Sequence, residues 1–299
     1  MTSEARKELS SPKALLDRHG LRPKHSFGQN FLCELRHAER IAELAAPTGE
    51  ERVLELGAGL GALTDKLLIR GCSVVAVERD RDLVPILQDE FVADIDSGRL
   101  EVVAADAKTV DWEALLGDHP RPVVAGNLPY QITGPLLRRT VSLAGKLERA
   151  VYLVQKEVAD RLAAAPASAQ YGALSVFAQA AFVVDRALTI RAGSFYPAPR
   201  VDSAVVVLSP RPERLAVETP LFRAVVKLAF GARRKTLRNA WRSLGVGDAL
   251  ERIADTAGVR LDARGETLTV AEFARVAHGL AELGPDAVSL PGVLIEDDA

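Results

Sequence analysis

Cysteine is almost missing from this chain: Cys33 and Cys72 are all there is in 299 residues. Two cysteines build no disulfide framework, and their separation offers none of the paired spacings that hold zinc, so both read as small apolar fillers and no metal is expected. Long apolar runs are missing too, and Met1–Ser11 is polar and charged, without the apolar stretch of a signal peptide. No membrane span is expected, and the expected location is the cytoplasm. Neither sign of charge dominates, since 38 Lys and Arg stand against 40 Asp and Glu for a formal net charge of -2. A chain so balanced that meets a polyanion has to gather its basic residues locally. There is no internal repeat, and the one compositional cluster, Ala163-Ala164-Ala165-Pro166-Ala167, reads as a helix end and loop. What is present, 48% hydrophobic and 26% charged residues, is an ordinary globular composition of a length that suits one large domain and a smaller one.

Val53–Leu56 reads as a short buried strand that runs into Gly57-Ala58-Gly59-Leu60-Gly61 and then into a helical pattern. Glycines at this junction let backbone approach a ligand where open parallel sheets place their sites, although the spacing is GxGxG and not GxGxxG. A second strand, Ser73–Val77, ends at Glu78, where an acid can accept from both hydroxyls of a ribose. A third, Leu100–Ala104, ends near Asp106, placed to read an adenine amino group, and a fourth, Pro122–Ala125, delivers Asn127. Glu78 and Asp106 also suit helix caps or loop acids. Four strands that each present a polar residue at the carboxyl end, with helices between them, predict half of a doubly wound α/β sheet with one site along its edge.

Asn127-Leu128-Pro129-Tyr130 gives that site a chemistry. An exocyclic base nitrogen is a poor nucleophile, and methylating it requires both of its N–H bonds to be held. The Asn127 side-chain oxygen and a backbone carbonyl near Leu128 can accept them. Pro129 stiffens the turn, and Tyr130 offers a flat face for an extruded base. An ordinary strand-to-loop turn uses the same residue types, so the surrounding motifs decide.

Those motifs resemble the KsgA/RsmA ribosomal RNA adenine dimethyltransferases from roughly residue 20 to residue 275. The resemblance rests on Phe27-Gly28-Gln29-Asn30-Phe31-Leu32, the glycine loop with Leu63-Thr64, Asn127–Tyr130, Gln155–Leu162, Tyr171–Ser175, Phe195–Ser203 and Arg233–Asn239. It implies a Rossmann-like class I S-adenosylmethionine-dependent methyltransferase domain with a small α-helical C-terminal domain. It also implies S-adenosylmethionine as cofactor and dimethylation of N6 on two adjacent adenosines near the 3′ end of 16S rRNA, in the small ribosomal subunit or its precursor. Gln29, Asn30 and Leu32 would then line the methyl-donor pocket, Gly57 and Gly59 approach its methionine part, Glu78 hold the ribose and Asp106 the adenine. Asn127 would be the catalytic contact, with Leu128 and Pro129 shaping it, and the target base would stack between Tyr130 and Phe195. Phe195 and Tyr196 also suit core filling, and Gln29-Asn30 also suit an N-cap ahead of a helix over Cys33–Leu44. Two departures from the family pattern stand out: Lys24 is followed by His25 and Ser26 where further basic residues are usual, and Ala198 interrupts a run of prolines.

Tyr152–Gln155 reads as a fifth strand and Ala204–Leu208 as a late one, with Ser209–Pro212 as linker. Residues 1–209 are therefore expected to form the methyltransferase domain and 210–280 a helical RNA-binding domain, leaving 281–299 as an acidic, mobile tail. Helices are expected over Leu221–Phe230, Lys235–Leu244, Leu250–Ala257 and Val270–Leu283. Arg233, Arg234, Lys235, Arg238 and Arg242 form the expected RNA contact, three of them at i, i+4, i+8 on one helical face, although a solvated stripe looks the same. Lys13, Arg18, Arg22 and Lys24 make a second basic patch. No catalytic histidine is assigned, and the chain is expected to act as a monomer. The competing readings are an Erm-like enzyme that methylates 23S rRNA, a ribosome-assembly factor that binds RNA without methylating it, and a nicotinamide oxidoreductase.

Overall fold

A computed structural model describes residues 9–231, 234–284 and 287–290. Its elements are α1 (Pro12–Arg18), β1 (Phe31–Leu32), α2 (Leu35–Ala45), β2 (Arg52–Leu56), α3 (Ala62–Ile69), β3 (Ser73–Glu78), α4 (Val84–Glu90), α5 (Val92–Asp96), β4 (Leu100–Ala104), α6 (Trp112–Leu116), β5 (Pro122–Asn127), α7 (Thr133–Ser142) and β6 (Arg149–Gln155). Then follow α8 (Lys156–Leu162), α9 (Ala173–Ala181), β7 (Phe182–Ile190), β8 (Phe195–Tyr196), β9 (Ser203–Pro210), α10 (Pro220–Gly231), α11 (Leu237–Ala240), α12 (Ala249–Ala257) and α13 (Val270–Ala281). The chain divides into two compact units, Met1–Ala159 with Asp185–Pro210, and Asp160–Val184 with Arg211–Ala299.

The first unit is built on a seven-stranded sheet in the order β4-β3-β2-β5-β6-β9-β7. From β4 across to β6 the strands run parallel, and β9 lies antiparallel to β6. Parallel neighbours need long crossovers, which the intervening helices supply. Val53, Val74, Ala76, Val123, Ala125, Val151 and Leu153 share a core with Ile41 and Ala42 of α2 and Leu63 and Leu67 of α3. The alternate residues Leu54, Leu56, Val75, Val77, Val124 and Tyr152 are buried too. Strands β2, β3, β5 and β6 are thus covered on both faces, which is why they read as continuous apolar runs.

Three expectations need correction here. Asp160–Val184 does not belong with the residues before it: Tyr171, Val176 and Ala180 bury in one core with Phe222, Trp241 and Phe273 of the second unit. Lys235–Leu244 is not one helix; α11 covers four residues and gives way to a 3-10 turn, Trp241–Leu244, capped by left-handed Gly245. At the junction the fully buried Trp241 donates its Nε1 to the Val225 carbonyl at 2.9 Å. The tail is packed as far as it is described: Val288 and Leu290 lie against the second unit's core, and Ser289 N–H donates to Leu244 O at 2.9 Å. Residues 285–286 and 291–299 lie outside the described residues. Strand β7 was invisible in the sequence because most of it is exposed and it carries Asp185 and Arg186, so it lacks apolar alternation.

One contact of β5 sets where its carboxyl end falls. At Gly126 a Cβ would stand 2.5 Å from the Leu56 carbonyl oxygen of β2, so only glycine lets the two strands pass and present Asn127 beside the glycine loop. Gly126→Ala is expected to destabilise the protein by about 1–3 kcal/mol in urea unfolding, with methyl transfer falling as Asn127 is displaced. Unchanged stability and turnover would show that this close approach positions nothing.

Candidate active site

The carboxyl ends of β2, β3, β4 and β5 open on a cavity of about 380 Å³ in the first unit. Gln29, Asn30, Leu32, Gly57, Gly59, Glu78, Asp106, Asn127, Leu128, Pro129 and Tyr130 all line it. Of the residues expected there, Phe195 alone is not brought to the wall. It pairs with Leu32 across β1 and β8, is 4% exposed, and packs with Leu32 and Ile41 in the sheet core, so the alternative reading of core filling is the one displayed.

Four N–H groups of the glycine loop are already hydrogen-bonded within the protein. Gly57 and Ala58 donate to the Val77 carbonyl at 2.8 and 3.2 Å, Gly59 to Glu78 Oε2 at 2.8 Å, and Gly61 to Ala58 O at 2.9 Å. A dinucleotide's pyrophosphate would find these donors already engaged, which argues against the oxidoreductase reading. Glu78 takes Gly59 N–H on one oxygen and Asp80 N–H on the other at 2.7 Å, leaving one lone pair on each for a ligand hydroxyl. Burial pushes its pKa up, against those two backbone bonds. Asp106 accepts Lys108 N–H at 2.9 Å and faces the Arg79 guanidinium at 3.3 Å.

Asn127 is oriented by one bond: its Nδ2 donates to the Asn30 carbonyl at 2.9 Å. The Asn127 side-chain oxygen is therefore the end of the amide that remains to accept a hydrogen. Asn30 donates its own Nδ2 to Gly28 O at 3.0 Å, and because α2 begins only at Leu35, neither Gln29 nor Asn30 caps it. Tyr130 stands half-buried in the turn after β5, with its hydroxyl 2.7 Å from Ser203 Oγ. The Pro129 carbonyl is taken by Ile132 N–H and the Thr133 hydroxyl, at 3.1 and 3.2 Å.

Sequence reasoning missed Glu55 and the residues that hold Gln29. Glu55 lines the cavity, and an acid inside the apolar run Val53–Leu56 was the available signal. Burial pushes its pKa up to about 8; the Thr64 hydroxyl, 2.6 Å from Oε2, opposes the rise and the Glu78 carboxylate adds to it. Gln29 donates Nε2 to Asp80 at 2.6 Å and accepts Lys24 N–H at 2.7 Å, while the Lys24 ammonium pairs with Asp80 and Asp82. Lys24 and Arg18, which pairs with Glu90, are thus committed to acids and do not form an open basic patch.

In the second unit Arg233 lies outside the described residues, and Arg234, Lys235, Arg238 and Arg242 are exposed. They do not share a helical face, because α11 begins only at Leu237 and ends at Ala240, and Arg238 is paired with Glu251. Among the described residues no group of three or more His, Cys, Asp or Glu is arranged to hold a metal, and no helix is long and apolar enough to cross a membrane.

A twisted, mainly parallel sheet with a glycine loop after β2, an acid closing β3 and an Asn-Leu-Pro-Tyr turn after β5 defines a Rossmann-like methyltransferase joined to a helical unit. The chain belongs to the ribosomal RNA adenine dimethylase family, whose model matches residues 20–282. A curated relative, ribosomal RNA small subunit methyltransferase A of Anaeromyxobacter sp. (strain K), is 46% identical over 282 residues, covering 90% of this chain and 98% of the relative. Among solved structures, a dimethyladenosine transferase from Plasmodium falciparum matches with a TM-score of 0.70 at 21% identity, covering 84% of this chain and 98% of that one. The 23S rRNA methyltransferase ErmE matches with a TM-score of 0.63 at 27% identity, covering 84% of this chain and 100% of that one.

The buried acid has a measurable consequence. A carboxyl whose pKa is raised on folding contributes stability in full below its unfolded value, and that stability is lost as pH rises toward the folded value. The ligand-free protein should therefore lose thermal stability relative to Glu55→Gln between about pH 5 and pH 8. Melting temperatures that run parallel over this range would contradict a neutral Glu55.

Proposed function

We propose that this enzyme uses S-adenosylmethionine to dimethylate N6 of two adjacent adenosines near the 3′ end of 16S rRNA, acting as a cytoplasmic monomer on the small subunit or its precursor. The observation that carries the reading is the fixed amide of Asn127, with Nδ2 spent on the Asn30 carbonyl and the oxygen held as an acceptor in the cavity wall. An exocyclic amine is the group such an acceptor suits. The engaged Pro129 carbonyl leaves that of Leu128 as the second acceptor, so both amine hydrogens can be held while the lone pair points away from them. The Tyr130 ring, tethered at its hydroxyl, supplies the face on which an extruded base stacks.

S-adenosylmethionine, when bound, supplies an electrophilic methyl group. Glu78 suits its ribose hydroxyls, Asp106 its adenine amine, and Gly57 and Gly59 its amino-acid end, all on one cavity. No side-chain base is needed for the displacement, because the amine becomes acidic as it is alkylated and its proton can pass to water; alignment and exclusion of solvent carry the catalysis. Exposed Arg234, Lys235 and Arg242 are the proposed phosphate contacts, with Arg238 sharing its charge with Glu251. The greater identity to a relative named for the small subunit, 46% against 27% for ErmE, supports 16S over 23S rRNA as the substrate.

The test is to incubate the protein with labelled S-adenosylmethionine and either unmethylated small subunits or large-subunit RNA, then identify the nucleoside by mass. N6,N6-dimethyladenosine from small subunits alone is expected; label confined to large-subunit RNA would transfer the assignment to the Erm type. Asn127→Ala should retain methyl-donor binding while transfer falls about 100-fold or more. Full turnover in that variant would remove Asn127 from the reaction.

A further inference from the structure

Asp80 is 3% exposed and does not line the cavity, yet three hydrogen-bond donors converge on its carboxylate. Lys24 Nζ lies 2.5 Å and Asp82 N 3.1 Å from Oδ1, and Gln29 Nε2 lies 2.6 Å from Oδ2. Its own N–H donates to Glu78 at 2.7 Å. Gln29 is used at both ends of its amide, because Oε1 accepts Lys24 N–H at 2.7 Å. The loop so closed carries Phe27, whose ring lies 5.5 Å from the Lys24 ammonium and 5.3 Å from the Arg79 guanidinium and lines the cavity. The residue after Gln29 is Asn30, whose carbonyl orients Asn127. Further toward the N-terminus, Leu9, Pro12 and Leu15 line the same cavity, although they precede the span that matches the family.

We propose that Asp80 is a positioning residue for methyl transfer: its carboxylate fastens the segment Lys24–Asn30 across the methyl-donor cavity and so sets the Asn30 carbonyl on which the Asn127 amide depends. This rests on the reading that the methyl donor binds in that cavity. A carboxylate is required because it accepts at both oxygens; an amide at position 80 would turn an N–H against Lys24 or Gln29 and leave a buried donor unpaired. Exchanging the groups, with an amide at 80 and an acid at 29, restores a complementary pair: the new amide donates to residue 29, which still accepts Lys24 N–H.

The experiment measures the Kd for S-adenosylmethionine by calorimetry, and kcat and both KM values on unmethylated small subunits, in the full-length wild type, Asp80→Asn, Lys24→Met and the exchange Asp80→Asn with Gln29→Glu. Thermal melts report folding. Asp80→Asn should raise the Kd and KM for the methyl donor about tenfold and lower kcat severalfold while the KM for the small subunit stays unchanged, and the exchange should recover most of the loss. A folded Asp80→Asn with wild-type methyl-donor affinity, or an exchange that recovers nothing, overturns the proposal. Should Asp80→Asn fail to fold, Lys24→Met carries the test: weakened methyl-donor binding in a folded variant supports the fastening and unchanged binding overturns it. A wild type that binds no S-adenosylmethionine would instead overturn the reading of the cavity.

Discussion

A single hydrogen bond, from Asn127 Nδ2 to the carbonyl of Asn30, is what the proposed chemistry depends on. A side-chain amide is a donor at one end and an acceptor at the other, and only the acceptor end can hold an amine hydrogen. Free to rotate, Asn127 would offer the wrong end in part of the population. Two regions 97 residues apart in sequence have to be brought together to prevent that. The sheet supplies one side, through the close passage of Gly126 along β2, and the segment ahead of β1 supplies the other.

Charge around the cavity is arranged in the same spirit. Glu55 and Glu78 are buried acids with raised pKa values, held by the Thr64 hydroxyl and by backbone N–H groups and not by Lys or Arg side chains. Asp80, by contrast, is kept in its charged form: burial alone would raise its pKa, but the Lys24 ammonium and the Gln29 amide hold it below the usual carboxylate value. Glu55 and Glu78 thus face the cavity without a basic partner, whereas Asp106 faces Arg79 and the acid behind the wall is paired with Lys24. In a chain of formal net charge -2, this commits Lys24 to structure, and contact with a polyanion falls to exposed residues such as Arg234, Lys235 and Arg242.

The sheet and most of the site were legible because both lie where apolar runs stop. Gly57, Glu78, Asp106 and Asn127 each stand at or just after the carboxyl end of a parallel strand, and such ends are where this architecture places its ligands. What was not legible depends on tertiary packing. An aromatic before a proline reads alike in a site and in a core, and only the pairing with Leu32 puts Phe195 in the core. Arg234, Arg238 and Arg242 have helical spacing, but the helix runs only from Leu237 to Ala240, so Arg234 precedes it and Arg242 falls in the 3-10 turn that follows. Asp160–Val184 carries nothing in its sequence to say which core it enters; in the structure Tyr171 buries in the core that holds Trp241 and Phe273, its ring 5.9 Å from that of Phe230. Lys24 read as part of a basic patch and Gln29 as a pocket residue because Asp80, the partner they share, lies more than 50 positions away.

The measurement that tests the central claim most directly is a high-resolution crystal structure with S-adenosylhomocysteine and adenosine bound. The account predicts adenosine N6 about 2.9 Å from the Asn127 side-chain oxygen, with Nδ2 still on the Asn30 carbonyl. An Asn127 amide detached from Asn30, or one that turns its nitrogen toward the base, would contradict it.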